Sequence, residues 1–209
     1  MARDCCNHNQ DLESTLQTQR GTLATVFGIN AVMFIVIVAA ALYSRSSALL
    51  SDSLDNFGDA FTYALSLYVV FKGTVAKAKV ALVKGWLILL GACVVAAQII
   101  YKLFVPIVPT FEVMGAFSLL ALLANSVCLL LLWRHRNEDV NMSSVWECSR
   151  NDIMVNLSVI IAAAAVWLTN SGWPDIIIAA CLVILLLRSA SRVIQSALAE
   201  LRAQNQNHE

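Results

Sequence analysis

The chain has 209 residues, of which 59% are apolar and only 13% are charged. Soluble domains carry about 45–50% apolar and about 25% charged residues, so this chain has too little charge to cover a water-facing surface. The composition therefore excludes a soluble globular protein, a disordered chain and a collagen. The 14 basic and 14 acidic residues cancel, so we expect no nucleic-acid partner. The six cysteines lie mostly in apolar runs, which argues against a disulfide scaffold.

Six stretches are apolar and long enough to cross a membrane, for which about 20 mainly apolar residues are needed. In chain order their approximate ranges are 22–43, 47–71, 80–104, 113–133, 143–168 and 173–187. The predicted fold class is therefore an all-α integral membrane bundle of six transmembrane helices.

The predicted transmembrane domain occupies residues 22–192, between a polar tail at residues 1–21 and a second tail at 193–209 that frays at its end. Lys and Arg concentrate on the side of the membrane that holds both tails, and Lys84, just inside the third span, lies on that side. The opposite side has only Arg45 and Lys102, so both termini are predicted to be cytoplasmic. The loop-poor build favours a bacterial inner membrane.

The second span carries an acidic stripe. Asp52, Asp55 and Asp59 are spaced by three and four residues, so all three lie on one face of a helix. Carboxylates this close repel each other inside a membrane unless protons or a cation offset their charge. The stripe therefore predicts a cation site, against the alternative of a structural hydrogen-bonded network.

The fifth span offers a matching set of polar residues. Cys148, Asp152 and Asn156 follow each other at intervals of four residues and share a helix face. Glu147 and Asn151 form a neighbouring row with the same spacing. If the second and fifth helices face each other, each contributes a pair of anionic ligands to one site.

The four predicted ligands are Asp55, Asp59, Cys148 and Asp152. Three carboxylates and a thiolate suit tetrahedral Zn²⁺ or a softer relative such as Cd²⁺. Carboxylates alone would suit Mg²⁺ or Mn²⁺, and Cys148 has the alternative of being a small buried apolar residue. The metal therefore depends on whether Cys148 is a ligand.

These motifs resemble the cation diffusion facilitator family of divalent-metal transporters. The family's signature is His or Asp, three residues and then Asp, in both the second and the fifth helix. The second-helix motif is similar at Asp55-Asn-Phe-Gly-Asp59, and the fifth-helix motif at Cys148-Ser-Arg-Asn-Asp152. The turn at residues 172–175 before the sixth span also resembles the family's.

The resemblance implies export of a divalent cation from the cytoplasm, driven by inward proton flow, and it implies a homodimer. Zn²⁺ is the expected cargo, with Cd²⁺, Co²⁺, Ni²⁺ and Fe²⁺ as further possibilities and no organic cofactor. Its expected ligands are the four residues named above. Asp52, Glu147 and Asn151 would line the access path or hydrogen-bond the ligands.

Two departures from the family bear on these expectations. Members commonly carry a cytoplasmic C-terminal domain of ferredoxin-like fold, and the chain ends shortly after the sixth span, so we expect a short form without it. Cys148 stands where the family usually has His or Asp, which affects the expected metal preference.

Three other classes of function agree less well with the sequence than metal transport does. An exporter of organic cations would also use carboxylates in a cavity, but it does not require Cys148 or ligand pairs on two helices. An intramembrane enzyme is not expected, because the sequence has no HExxH motif and no His within a span. A structural membrane protein would not need the acidic stripe.

Overall fold

The computed structural model describes residues 2–69, 74–133 and 140–206, with side chains described over 21–65, 78–79, 81–133, 146 and 149–203. Within these residues the chain forms six α-helices and no strand. The helices are α1 (Ala2–Ser44), α2 (Ser47–Val69), α3 (Thr74–Phe104), α4 (Phe111–Trp133), α5 (Val140–Thr169) and α6 (Trp173–Gln206). The predicted all-α architecture is confirmed.

Lipid-facing surface covers most of the bundle. Among the described residues, all helices except α2 are long and apolar enough to cross a membrane. Within their apolar windows only 22–33% of the residues are buried by the protein, so the remaining apolar surface must face lipid. Leu130, Ile161 and Leu168, for example, are 71%, 65% and 72% exposed. α2 is less apolar because it carries Asp52, Asp55 and Asp59, and it lies among the other helices.

The helices pack most extensively as three pairs, α1 with α2, α4 with α5, and α3 with α6. Buried side chains of α1, α2, α4, α5 and α6 form the main core, which includes Ile37, Leu49, Met114 and Val159. A smaller core joins α3 to α6 through Ile88, Ala92, Leu186 and Ala190. α2 contacts α3, α5 and α6 as well as α1, so its acidic stripe lies inside the bundle.

Both terminal segments are helical where we expected tails. α1 begins at Ala2, and α6 continues through the expected frayed segment to Gln206. Residues 198–206 are rich in Ala, Leu, Glu, Arg and Gln, which favour helix. Ala197 is buried, and a Cβ on Gly85 of α3 would lie 2.6 Å from the side chain of Ile194, so α6 is also held by packing beyond its apolar span.

Three turns contact each other at one end of the bundle. They connect α1 to α2, α3 to α4, and α5 to α6. The backbone N–H of Thr110 donates to the carbonyl of Ser44 at 3.1 Å, which joins the first two turns. A Cβ on Gly172 would lie only 2.3 Å from the carbonyl oxygen of Ile107, so the third turn packs directly on the second. This end of the bundle is therefore closely packed.

Asp175, in the first turn of α6, caps the N-terminus of α2. Its carboxylate accepts hydrogen bonds from the Ser46 hydroxyl at 2.6 Å, the Ser47 N–H at 2.9 Å and the Ala48 N–H at 3.0 Å. The first N–H groups of a helix have no partner within the helix and favour a negative charge. A carboxylate on α6 thus fixes the start of the helix that carries the acidic stripe.

Candidate cation site

A cavity of about 460 Å³ lies between α2, α5 and α6. Its polar wall includes Asp55 and Asp59 of α2 and Asn151 and Asp152 of α5, and its α6 wall is mainly leucine. One water occupies about 30 Å³ in the liquid, so the cavity is large enough for a cation with its hydration water. The predicted facing of the second and fifth helices is thereby observed.

Asp59 and Asp152 form the centre of the site. Their carboxyl groups, on α2 and α5, lie within hydrogen-bonding reach of each other, and both residues are buried. The Tyr63 hydroxyl, one turn along α2, donates to Oδ2 of Asp59 at 3.4 Å. Two carboxylates this close repel each other unless a proton or a cation offsets the charge. The structure thus brings together two of the four predicted ligands, one from each helix.

The other two aspartates of the stripe differ in position. Asp55 is half-buried and lines the cavity one turn before Asp59. Asp52 is fully buried and does not line the cavity, although it is an electrostatic neighbour of Asp55. Its backbone carbonyl accepts a hydrogen bond from the Asn56 amide at 3.0 Å. Asp52 is thus placed behind the cavity wall.

Of the four polar residues of α5 named above besides Asp152, Asn151 and Asn156 have described side chains. Asn151 is exposed and lines the cavity, whereas Asn156 is buried and is not part of the cavity wall. The backbone of Glu147 and Cys148 belongs to α5, but their side chains lie outside the described ones. Among the described side chains, no group of three or more His, Cys, Asp or Glu is close enough to hold a metal ion. Asp55, Asp59 and Asp152 therefore line the cavity without forming a closed metal site.

Sequence reasoning missed two residues that act on these carboxylates. Tyr63 lies four residues after Asp59, a spacing that would have indicated contact on one helix face. Lys84 of α3 acts electrostatically on both Asp55 and Asp59, although its position in the sequence indicated only the orientation of the third span. Its signal was a lysine close to apolar helix sequence, which favours an intramembrane partner.

Cys128 is one of the three cysteines with a described side chain. It is buried on α4, accepts a hydrogen bond from the Asn30 amide at 3.8 Å and lies within electrostatic range of Asp59. It packs with Leu23, Val26, Tyr63 and Leu132. Cys128 is therefore a buried packing residue.

Comparison with known proteins places these features in a family. The bundle is that of a multi-pass membrane protein, with acidic side chains around an internal cavity. Residues 23–202 match the cation efflux transmembrane domain. The chain belongs to the cation efflux, or cation diffusion facilitator, family, whose members transport divalent metal cations across membranes. A search among curated proteins finds no match.

Proposed function

We propose that this protein exports a divalent cation, Zn²⁺ or Cd²⁺ before others, in exchange for protons, from a site between α2 and α5. The observation that carries the proposal is the close approach of Asp59 and Asp152 across the two helices. Asp55 lines the same cavity and would supply a third carboxylate once the cavity closes around a cation. Neighbouring carboxylates in a membrane are costly unless a cation or protons offset them, and a cation transporter supplies both.

The choice of metal rests on Cys148. It precedes Asp152 by four residues on α5, so both residues occupy one helix face. A thiolate added to three carboxylates favours Zn²⁺ and Cd²⁺ over Mg²⁺ and Mn²⁺, which prefer oxygen ligands alone. The four proposed ligands are Asp55, Asp59, Cys148 and Asp152.

Proton exchange follows from the chemistry of these ligands. Carboxylates and a thiolate bind metal only when deprotonated, so metal binding releases protons and protonation releases metal. If the termini are cytoplasmic, the site would bind metal from the cytoplasm and release protons there. On the other side of the membrane, protons would bind to the ligands and displace the metal. Closure of the open cavity around the cation, by movement of α2, α5 and α6 against each other, would provide alternating access.

Calorimetric titration of the purified protein with Zn²⁺ and Cd²⁺ tests the site. We expect saturable binding by the wild type, loss of that binding in Asp59→Asn and Asp152→Asn, and weaker binding in Asp55→Asn. Glu112→Gln is the matched control, because Glu112 is an exposed acid on α4 away from the cavity. Absence of binding by the wild type, or unchanged binding by Asp59→Asn, would contradict the proposal.

An organic cation is the second candidate cargo, and the cavity itself supports it. A volume of about 460 Å³ with Leu182, Leu185 and Leu186 on one wall is within the range of small-molecule sites. Ethidium in the same titration distinguishes the two. Binding of ethidium without binding of either metal would favour the organic cation.

Two further expectations come from the family and from the distribution of basic residues. The functional unit would be a homodimer, and light scattering of the detergent-solubilised protein would measure its mass. Both termini would face the cytoplasm of a bacterium, and protease digestion of a C-terminal tag in intact and everted membrane vesicles would locate them.

A further inference from the structure

Lys84 of α3 is hydrogen-bonded to α2, the helix that carries the acidic stripe. Its ammonium group donates a hydrogen bond to the Thr62 hydroxyl, which in turn donates to the Gly58 carbonyl at 2.8 Å. Thr62 lies three residues after Asp59, about one turn along α2. Lysines near the ends of membrane helices usually extend towards water. A lysine that instead contacts a neighbouring helix requires an interaction that offsets the loss of hydration.

Close packing holds this part of α3 against α2. A Cβ on Gly58 would contact the Ile88 side chain at 3.4 Å, and Ile88 lies one turn after Lys84. A Cβ on Gly91, one turn further, would lie 2.7 Å from the Leu54 side chain. Small residues thus let the two helices approach closely over the length of the acidic stripe. Lys84, one turn before Ile88, is therefore held beside the acidic helix.

The charge of Lys84 acts on Asp55 and on Asp59, which line the cavity. Two charges interact more strongly across protein than across bulk water, because the dielectric constant of the protein is lower. A fixed positive charge beside the carboxylates reduces their mutual repulsion. The same charge repels any divalent cation that binds to them.

We propose that Lys84 is a resident counter-cation of the site, which stabilises the aspartates between transport events and limits how tightly they hold a divalent cation. This proposal rests on the proposed function of the acidic cavity. A transport site must bind its ion well enough to load and weakly enough to release it. Lys84 sets that balance without being a ligand itself.

The test compares Lys84→Met, Lys84→Arg and Lys79→Met with the wild type. Met keeps most of the length and removes the charge, whereas Arg keeps the charge. Lys79 is an exposed lysine of the same helix and serves as the control. For each variant, calorimetry with Zn²⁺ gives the Kd, and zinc flux into proteoliposomes gives the maximal rate.

We expect Lys84→Met to bind Zn²⁺ at least about tenfold more tightly while its maximal rate falls. Lys84→Arg should restore both values, and Lys79→Met should change neither. A variant damaged in folding would bind less tightly as well as transport more slowly, so the opposite movement of the two values identifies the charge effect. An unchanged or weaker affinity in Lys84→Met would overturn this proposal alone, whereas absence of zinc binding by the wild type would overturn the proposed function.

Discussion

Lys102 of α3 and Asp175 of α6 form a buried ion pair, with Nζ and Oδ2 2.9 Å apart. Lys102 also donates to the carbonyl of Arg45 at 2.5 Å, in the turn before α2. Because Asp175 caps α2, this pair joins the ends of α2, α3 and α6. Both charged groups are almost completely buried, and each makes further hydrogen bonds besides the ion pair, which is the condition under which a buried pair is tolerated.

Loss of this ion pair should destabilise the bundle. Asp175→Asn leaves Lys102 as a buried charge without its carboxylate, and breaking a buried pair from one side costs about 3–5 kcal/mol. We expect a correspondingly lower unfolding midpoint of the protein in detergent, with unfolding measured by tryptophan fluorescence. Glu112→Gln removes an exposed acid and should leave the midpoint unchanged. Equal midpoints for the two variants would mean that the pair does not stabilise this end of the bundle.

The contact between the turns gives a second stability prediction. Gly172→Ala places a Cβ 2.3 Å from the Ile107 carbonyl oxygen, a backbone atom that cannot move alone, and overpacking of this kind costs about 1–3 kcal/mol. Gly28→Ala is the matched control, because a Cβ on Gly28 meets nothing within 4 Å and alanine favours helix. The two alanine variants should therefore shift the thermal midpoint in opposite directions. A neutral Gly172→Ala would contradict the close packing of the turns.

The faces that carry Asp59 and Asp152 were predictable from sequence, because the period of a helix determines which of its residues share a face. That these two faces meet was only a condition of the prediction, and the packing of α2 against α5 meets it. The capping of α2 by Asp175 was not predictable, since the two residues of each contact are more than a hundred positions apart and no local pattern relates Ser47 to α6. The helical course of residues 188–206 was missed for a different reason. Hydropathy marks where a helix leaves the lipid, whereas its end depends on packing such as that of Ile194 on Gly85.

Tyr63 should tune the site through Asp59. Tyr63→Phe removes the hydroxyl that donates to the Asp59 carboxylate and leaves the ring in its buried position. Groups that orient a ligand typically change metal affinity by about 10–100-fold, and the 3.4 Å contact places this effect at the lower limit. We therefore expect about tenfold weaker zinc binding by calorimetry. Tyr101→Phe, at an exposed tyrosine of α3, should bind as the wild type does.

Cys148 should determine the preference between metals. Cys148→Ser replaces a soft ligand by a hard one, so the affinity for Cd²⁺ should fall more than the affinity for Zn²⁺. Competition between the two ions in one titration measures the ratio of affinities directly. Cys181→Ser, at an exposed free thiol of α6, is the control. An unchanged ratio in Cys148→Ser would indicate that the thiol is a packing group and that carboxylates alone bind the cation.

Transport by purified protein in proteoliposomes tests the central claim most directly. Zinc flux and internal pH are followed together in wild type, Asp59→Asn, Asp152→Asn and Glu112→Gln, with a proton gradient across the membrane. The account predicts zinc movement coupled to opposite proton movement in the wild type and Glu112→Gln, and flux at the level of empty liposomes in the two aspartate variants. Normal zinc flux in either Asp59→Asn or Asp152→Asn would contradict it.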